Sequence, residues 1–341
     1  GTGCTVSVVV TVNPNPAAIG GASTVCESSS ITLTNANAGG TWSVTGSASI
    51  AGAGTTATLT GTSAGAAAVT YTLPTSCFIT HSVVINPLPS VISGTLSVCQ
   101  GNTTPLGSTP VGGVWSSSTP SVATAGSSSG IVTGVNAGMA NITYTQGGCS
   151  RTALVTVDPT PAAISGAGAV CVGSGITLST TPAGGTWGSS STGVADIGIT
   201  SGAVTGMAAG TAVISYASPA GCLRTRTITV NPLPVVAPIT GTLVLCAGDN
   251  VTLASTTPGG VWSSSGISAT VNSATGVVTG VTAGTTDITY TVTVDGCTSY
   301  VTTAVNVSIS PLPITGVLSI CNGASTVLSN ASGSGSWTSS N

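Results

Sequence analysis

The chain contains no lysine, and its three basic residues are Arg151, Arg224 and Arg226. Nucleic-acid binding needs clustered Lys and Arg against phosphate, so that class is excluded. The same scarcity argues against an anionic membrane surface. No apolar stretch nears the ~18 residues of a spanning helix, so no membrane insertion is expected in this stretch of chain. Lys–Asn isopeptide cross-links cannot form without lysine. Acids are also few: Glu27, Asp158, Asp196, Asp249, Asp287 and Asp295. Residues 28–150 carry no charged side chain at all. Charge repulsion therefore cannot keep such a surface away from its copies; soluble surfaces usually carry roughly 25–35% charged residues.

Catalytic chemistry is missing too. A Ser or Thr nucleophile needs a base, and the one histidine, His81, has no acid beside it in sequence. Six acids spread over the chain do not read as a carboxylate pair across a cleft. Asp249 and Asp295 sit in turn contexts, and a hard cation wants six or more oxygens. There is no CxxC, so the cysteines do not read as zinc ligands. The expectation is a chain that is not an enzyme, with no cofactor and no metal.

What is present is a period. Early cysteines Cys26, Cys99, Cys171, Cys246 and Cys321 recur every 72–75 residues, and late cysteines Cys4, Cys77, Cys149, Cys222 and Cys297 keep the same step. So do Trp42, Trp115, Trp187, Trp262 and Trp337. A fixed period of this size means an array of small similar units. Pro-X-Pro marks punctuate it at Pro14–Pro16, Pro87–Pro89, Pro159–Pro161, Pro232–Pro234 and Pro311–Pro313. Such segments are extended and stiff. They divide the chain into a last strand of a preceding repeat (1–13), four repeats (14–86, 87–158, 159–231 and 232–310), and the start of a following one (311–341). The chain reads as a window from a longer polypeptide.

Within 232–310 the alternation of apolar and polar residues has period two. Val235 to Cys246 reads as a first strand with a bend at Gly241. Asn250 to Ser255 follows, then Val261-Trp262-Ser263, Val277 to Gly280 and Thr286 to Val294. Asp295-Gly296 is a hairpin signal, and Cys297 to Ile309 closes the unit. About seven short strands with a turn every ~8–12 residues indicate an all-β sandwich. One Trp and one Tyr per repeat supply much of a small core: Trp42, Trp115, Trp187 and Trp262 with Tyr71, Tyr144, Tyr216 and Tyr290. The Gly-Gly before each Trp is read as letting backbone pass close to the indole.

The run Gly130 to Gly138 followed by Ile142-Thr143-Tyr144 recurs as Gly202 to Gly206 with Ile214-Ser215-Tyr216, and as Gly276 to Gly280 with Ile288-Thr289-Tyr290. With Trp-Ser-Ser-Ser at 115–118 and 262–265, the pattern resembles bacterial immunoglobulin-like group 2 domains. The added cysteines, Pro-X-Pro and Gly-Gly-X-Trp resemble the tandem repeats of very large surface adhesins exported by type IX secretion. That resemblance implies an array of immunoglobulin-like sandwiches without catalytic residues. The first repeat departs from it, with Ala57-Thr58-Leu59-Thr60-Gly61 in place of Gly-X-Val-Thr-Gly.

Regular cysteines in a lysine-free, Ser/Thr-rich chain point to an oxidising, extracellular, cell-surface setting. Three pairings come into question: within a repeat (Cys26 with Cys77), across a linker (Cys77 with Cys99), or from one repeat to the next. In an immunoglobulin-like topology the early cysteine lies at the bottom of the domain and the late one at the top. A strand of six or seven residues separates them by roughly 20 Å or more, and a disulfide needs Cα atoms within about 7 Å. Geometry favours Cys26 with Cys149, Cys99 with Cys222 and Cys171 with Cys297. Cys4, Cys77, Cys246 and Cys321 then pair beyond this window. Pairing within a repeat, bridges between chains and free thiols stay open as alternatives. The functional expectation is the shaft of an extracellular filament or adhesin whose partners are copies of itself. The alternative is an array of modules that binds a glycan or a cell surface.

Overall fold

The computed structural model describes every residue except 2, 334 and 341. Among the described residues every regular element is a strand, and the fold is a tandem array of immunoglobulin-like sandwiches. The chain forms two compact units, one of Gly1–Pro161 with Ala217–Leu223 and one of Ala162–Tyr216 with Arg224–Asn341.

In the first unit, Thr24–Cys26, Phe78–Asn86, Gly65–Thr72 and Thr41–Gly46 form a four-stranded sheet, in that order. Ser30–Thr34, Thr56–Gly61 and Ala48–Ala53 form the facing sheet. The next sandwich repeats the plan: Ser97–Cys99, Cys149–Asp158, Gly138–Gln146 and Val114–Ser117 in one sheet. Ala123–Ala125, Ile131–Gly134, Thr103–Gly107 and Ser93–Gly94 make the other. Two more four-stranded sheets follow, ordered Ala169–Cys171, Leu223–Asn231, Gly210–Ala217, Thr186–Ser189 and Val244–Cys246, Cys297–Ser308, Gly284–Val294, Val261–Ser264. Each faces a three-stranded sheet.

One pairing recurs in every sandwich and places its early cysteine. The short strand that ends at the early cysteine runs parallel to the last strand of its own repeat. Its cysteine stands opposite that strand's C-terminal end: Cys26 with Asn86, Cys99 with Asp158, Cys171 with Asn231 and Cys246 with Ser308.

Residues 235–243 do not extend the strand Val244–Cys246 upstream. They hold an isolated bridge, Thr240 to Ala254, beside Gly241 at φ +126°. That conformation is open to glycine. Ala269–Val271 is a strand that the alternation pattern does not reveal; it pairs with Val277–Gly280. The tight turn at Asp295-Gly296 has positive φ at both residues, +51° and +80°, the twist a two-residue hairpin favours.

Each sandwich has its own core. Trp115, Trp187 and Trp262 are buried, as are Tyr71, Tyr144, Tyr216 and Tyr290. Each Trp ring lies tilted against the Tyr of its repeat, with centroids 4.5–4.7 Å apart. Such pairs contribute about 0.5–1.5 kcal/mol beyond their buried area.

Trp42, expected in the core, is only half-buried and packs against its edge. In the other repeats a left-handed glycine lies on the indole. A Cβ on Gly130, Gly202 or Gly276 would meet Cε2 of Trp115, Trp187 or Trp262 at 2.9–3.1 Å. The first repeat has Ala57 at that place and a tight turn at Gly54-Thr55, so the cover is absent. Trp42 Nε1 donates to Gly54 O instead, at 3.0 Å.

The Gly-Gly pairs also differ from expectation. The ring approached by the second glycine is the tyrosine, not the indole. A Cβ at Gly40, Gly113 or Gly260 would fall 2.3–2.5 Å from the Cζ of Tyr71, Tyr144 or Tyr290.

Candidate functional site at the repeat junctions

The last strand of each repeat decides where its cysteines stand. Cys149 opens the ten-residue strand Cys149–Asp158, and Cys99 stands opposite that strand's far end. At ~3.3 Å per residue the two lie about 30 Å apart, far beyond disulfide reach. Cys297 and Cys246 are separated in the same way along Cys297–Ser308. A bond inside a repeat would require tearing out the central strand of its sheet.

The structure bonds Cys26 to Cys149, Cys99 to Cys222 and Cys171 to Cys297, with Cα–Cα distances of 5.7, 5.6 and 5.5 Å. Cys4, Cys77, Cys246 and Cys321 are free thiols. The late member of each bond is buried: Cys149, Cys222 and Cys297 are at most 1% exposed.

Backbone and side-chain contacts position the bonded pairs. The residue after the early cysteine hydrogen-bonds the end of the last strand: Glu27 N to Asn86 O, Gln100 N to Asp158 O and Val172 N to Asn231 O. The sulfur of the late cysteine comes close to the same carbonyl. Cys149 Sγ is 3.9 Å from Asn86 O, Cys222 Sγ 4.0 Å from Asp158 O and Cys297 Sγ 3.8 Å from Asn231 O. Cys77 Sγ lies 3.6 Å from Asn13 O, so this free thiol is set as the bonded ones are.

An asparagine adds a second tie. Asn86 Nδ2 donates to Gly147 O at 2.7 Å, and Asn231 Nδ2 to Asp295 O at 3.0 Å. Both acceptors belong to the hairpin turn just before the late cysteine. Asp158 occupies the equivalent place at the middle bond and has no amide to donate. Its carboxylate accepts from Ser97 Oγ at 2.5 Å instead, and the hairpin there is tied internally, with Cys222 N donating to Ser218 Oγ at 3.1 Å.

Two arginines take a role that the sequence did not announce. Arg151 Nε donates to Pro89 O at 3.1 Å, and Arg226 Nη1 donates to Ile164 O at 2.9 Å. Each pins the entry segment of a repeat to that repeat's own last strand. They stand two and four residues after Cys149 and Cys222, so no shared spacing marks them.

The remaining polar chemistry is sparse. Among the described residues no three of His, Cys, Asp and Glu come together to hold a metal ion. His81 is half-buried, and its Nε2 lies 3.4 Å from Ser23 Oγ. No helix of the described residues is long and apolar enough to cross a membrane. Trp337 is 56% exposed, unlike the tryptophans of the four sandwiches. It lines an open cleft with Pro311, Leu312 and Ile314.

No family model matches the chain, and no curated protein matches it in sequence. Among solved structures, it is similar to the C-terminal 282-residue fragment of intimin, crystallised with the intimin-binding domain of the translocated intimin receptor. The match has 16% identity over 43% of this chain and 65% of that one, with a TM-score of 0.35. Invasin, a bacterial integrin-binding protein, matches at 13% identity over 86% of this chain and 81% of its own, with a TM-score of 0.32. Domains 1–6 of the surface layer protein SbsC match at 15% identity over 90% and 56%, with a TM-score of 0.23. The chain spans less than two thirds of the intimin fragment and of the SbsC domains. With every TM-score below 0.5, these likenesses carry no argument, and the fold rests on the strands described above.

Proposed function

We propose that this chain is the shaft of an extracellular surface filament or adhesin, built from sandwich modules stapled to one another and associating with copies of itself. The observation that carries the reading is the set of three disulfides from one repeat to another. Such bonds persist in oxidising, extracellular settings, and they spend every bonded cysteine on linking units rather than on closing a site. Repeat arrays of this kind extend by adding units.

Self-association is supported by the outer sheet faces. They carry cross-strand threonine pairs, Thr143 with Thr152, Thr289 with Thr302 and Thr293 with Thr298. Exposed apolar residues such as Met139, Leu154, Val213 and Tyr300 lie among them. With nine charged residues in 341, little long-range repulsion opposes lateral packing of identical chains. Export by the type IX route enters this reading through the resemblance of the repeats alone. Catalysis has no part in it.

Array modules that bind a glycan or a host surface are the second reading. It ranks lower because Trp115, Trp187 and Trp262, the period's own aromatics, are spent on cores. Sedimentation and electron microscopy of the oxidised chain over a concentration series test the choice. Fibres or laterally paired chains are expected. A strict monomer at every concentration that still binds a glycan panel would replace the first reading by the second.

A further inference from the structure

The covalent map of the chain differs from its backbone order. From Cys26 a disulfide leads to Cys149, twenty-two residues of backbone lead from Cys149 to Cys171, and a second disulfide leads to Cys297. The third bond, Cys99 to Cys222, belongs to another series: residues 77–99, the bond, then residues 222–246. Every piece runs from a late cysteine through a Pro-X-Pro linker to an early cysteine. The free thiols fall at the ends of these series. Cys4 and Cys321 end the first, through residues 4–26 and 297–321, and Cys77 and Cys246 end the second.

We infer that the disulfides turn the array into two interleaved covalent threads, so that tension along the chain is carried by short pieces of last strand and linker and cannot draw out the rest of the sandwiches. Load in a taut molecule follows the shortest covalent path. Between Cys26 and Cys297 that path is the single piece 149–171 and two bonds. It reaches roughly 80 Å when fully extended, against roughly 950 Å for the 271 residues of backbone. Little of that piece is slack. Residues Cys149–Asp158 and Ala169–Cys171 are already strands, and Pro159 to Pro161 is stiff, extended linker. Trp115, Tyr144, Trp187 and Tyr216 hang outside the path, while Val155, Val157, Ile164 and Val170 of the same cores lie on it. The middle bond adds nothing to this limit. It belongs to the second thread, whose route between Cys26 and Cys297 is longer and stays slack while the first is taut.

The inference needs no fibre, since a chain that stays monomeric keeps it. The test is single-molecule stretching of the full chain between non-thiol tags at its two termini, with free thiols alkylated beforehand. Thiol titration and a non-reducing peptide map first establish four free cysteines and the three bonds. The oxidised chain should then reach a limiting contour of about 90 residues, roughly 330 Å, and reductant should lengthen it between three- and fourfold, to roughly 1,200 Å. Replacing the middle pair, Cys99→Ser with Cys222→Ser, should leave the oxidised limit unchanged. Replacing the first pair, Cys26→Ser with Cys149→Ser, should more than double it. The limit is set by connectivity, so it holds even for a variant that folds poorly, provided its peptide map shows the remaining bonds. A thiol count above four in the parent chain, extension past about 400 Å without reductant, or equal lengthening by both double variants would overturn the inference.

Discussion

The hydroxyl of Tyr144 accepts a hydrogen bond from the amide of Gly113 at 2.8 Å. The same hydroxyl donates to Pro110 O. Each sandwich repeats the arrangement: Tyr71 with Gly40 and Asn37, Tyr216 with Gly185 and Pro182, Tyr290 with Gly260 and Thr257. A buried ring thus fastens both ends of the turn that leads into the tryptophan strand. Its hydroxyl satisfies one donor and one acceptor that the turn leaves without strand partners.

Tyr144→Phe keeps the ring and removes both bonds. The Gly113 amide and the Pro110 carbonyl then lose their partner at a part-buried site, and each lost bond costs about 0.5–1.5 kcal/mol. Hydrogen exchange should show faster opening of the 110–117 segment, with the other three sandwiches unaffected. Unchanged protection there would mean the hydroxyl is not what holds the turn.

The two glycines before each tryptophan should respond differently to alanine. A Cβ at Gly113 would sit 2.5 Å from Tyr144 Cζ and from Thr145 O, so the ring or the sheet must move, at about 1–3 kcal/mol or more. Gly112 faces open space and carries φ +92°. Its alanine variant meets only backbone strain, about 1–2 kcal/mol. Thermal unfolding of the two variants should rank Gly113→Ala as the more destabilised.

Acrylamide quenching of tryptophan fluorescence should resolve two classes. Trp115, Trp187 and Trp262 are at most 8% exposed and should be protected. Trp337 should be readily quenched, with Trp42 between. Replacing Trp337 and Trp42 by Phe should remove most of the quenchable signal; a large quenchable fraction that survives would contradict the buried placement.

The spans of the three bonds overlap, from 26 to 149, 99 to 222 and 171 to 297. A single backbone cut anywhere between Cys26 and Cys297 therefore leaves the two pieces joined. Limited proteolysis should give fragments on a reducing gel and an intact-sized band on a non-reducing one. Fragments that separate without reductant would contradict the covalent map.

Much of the fold is legible in particular residues. Asp295-Gly296 announces its turn because few residue pairs accept positive φ twice. Val277 to Gly280 and the tyrosine strands alternate cleanly, and the structure has strands there. Residues 235–243 are rich in Val and Ile and read as strand. They hold only the single bridge Thr240 to Ala254, with Pro238 among them offering no amide to a ladder. Trp42 shares its period with the other tryptophans, but its burial depends on a glycine that its own repeat replaces by Ala57. The arginine ties to Pro89 and Ile164 had no signal in the sequence, because a linker carbonyl has no sequence signature.

The amino-acid sequence by itself determined the period, the all-β architecture and the ten cysteines, since spacing, alternation and turn residues are local properties of the chain. It also named the candidate partners of each thiol. Only the tertiary structure decided among them. The parallel register of Cys99 with Asp158 carries the two cysteines of one sandwich to opposite ends of a ten-residue strand, and pairing depends on distance through space, which sequence separation does not measure.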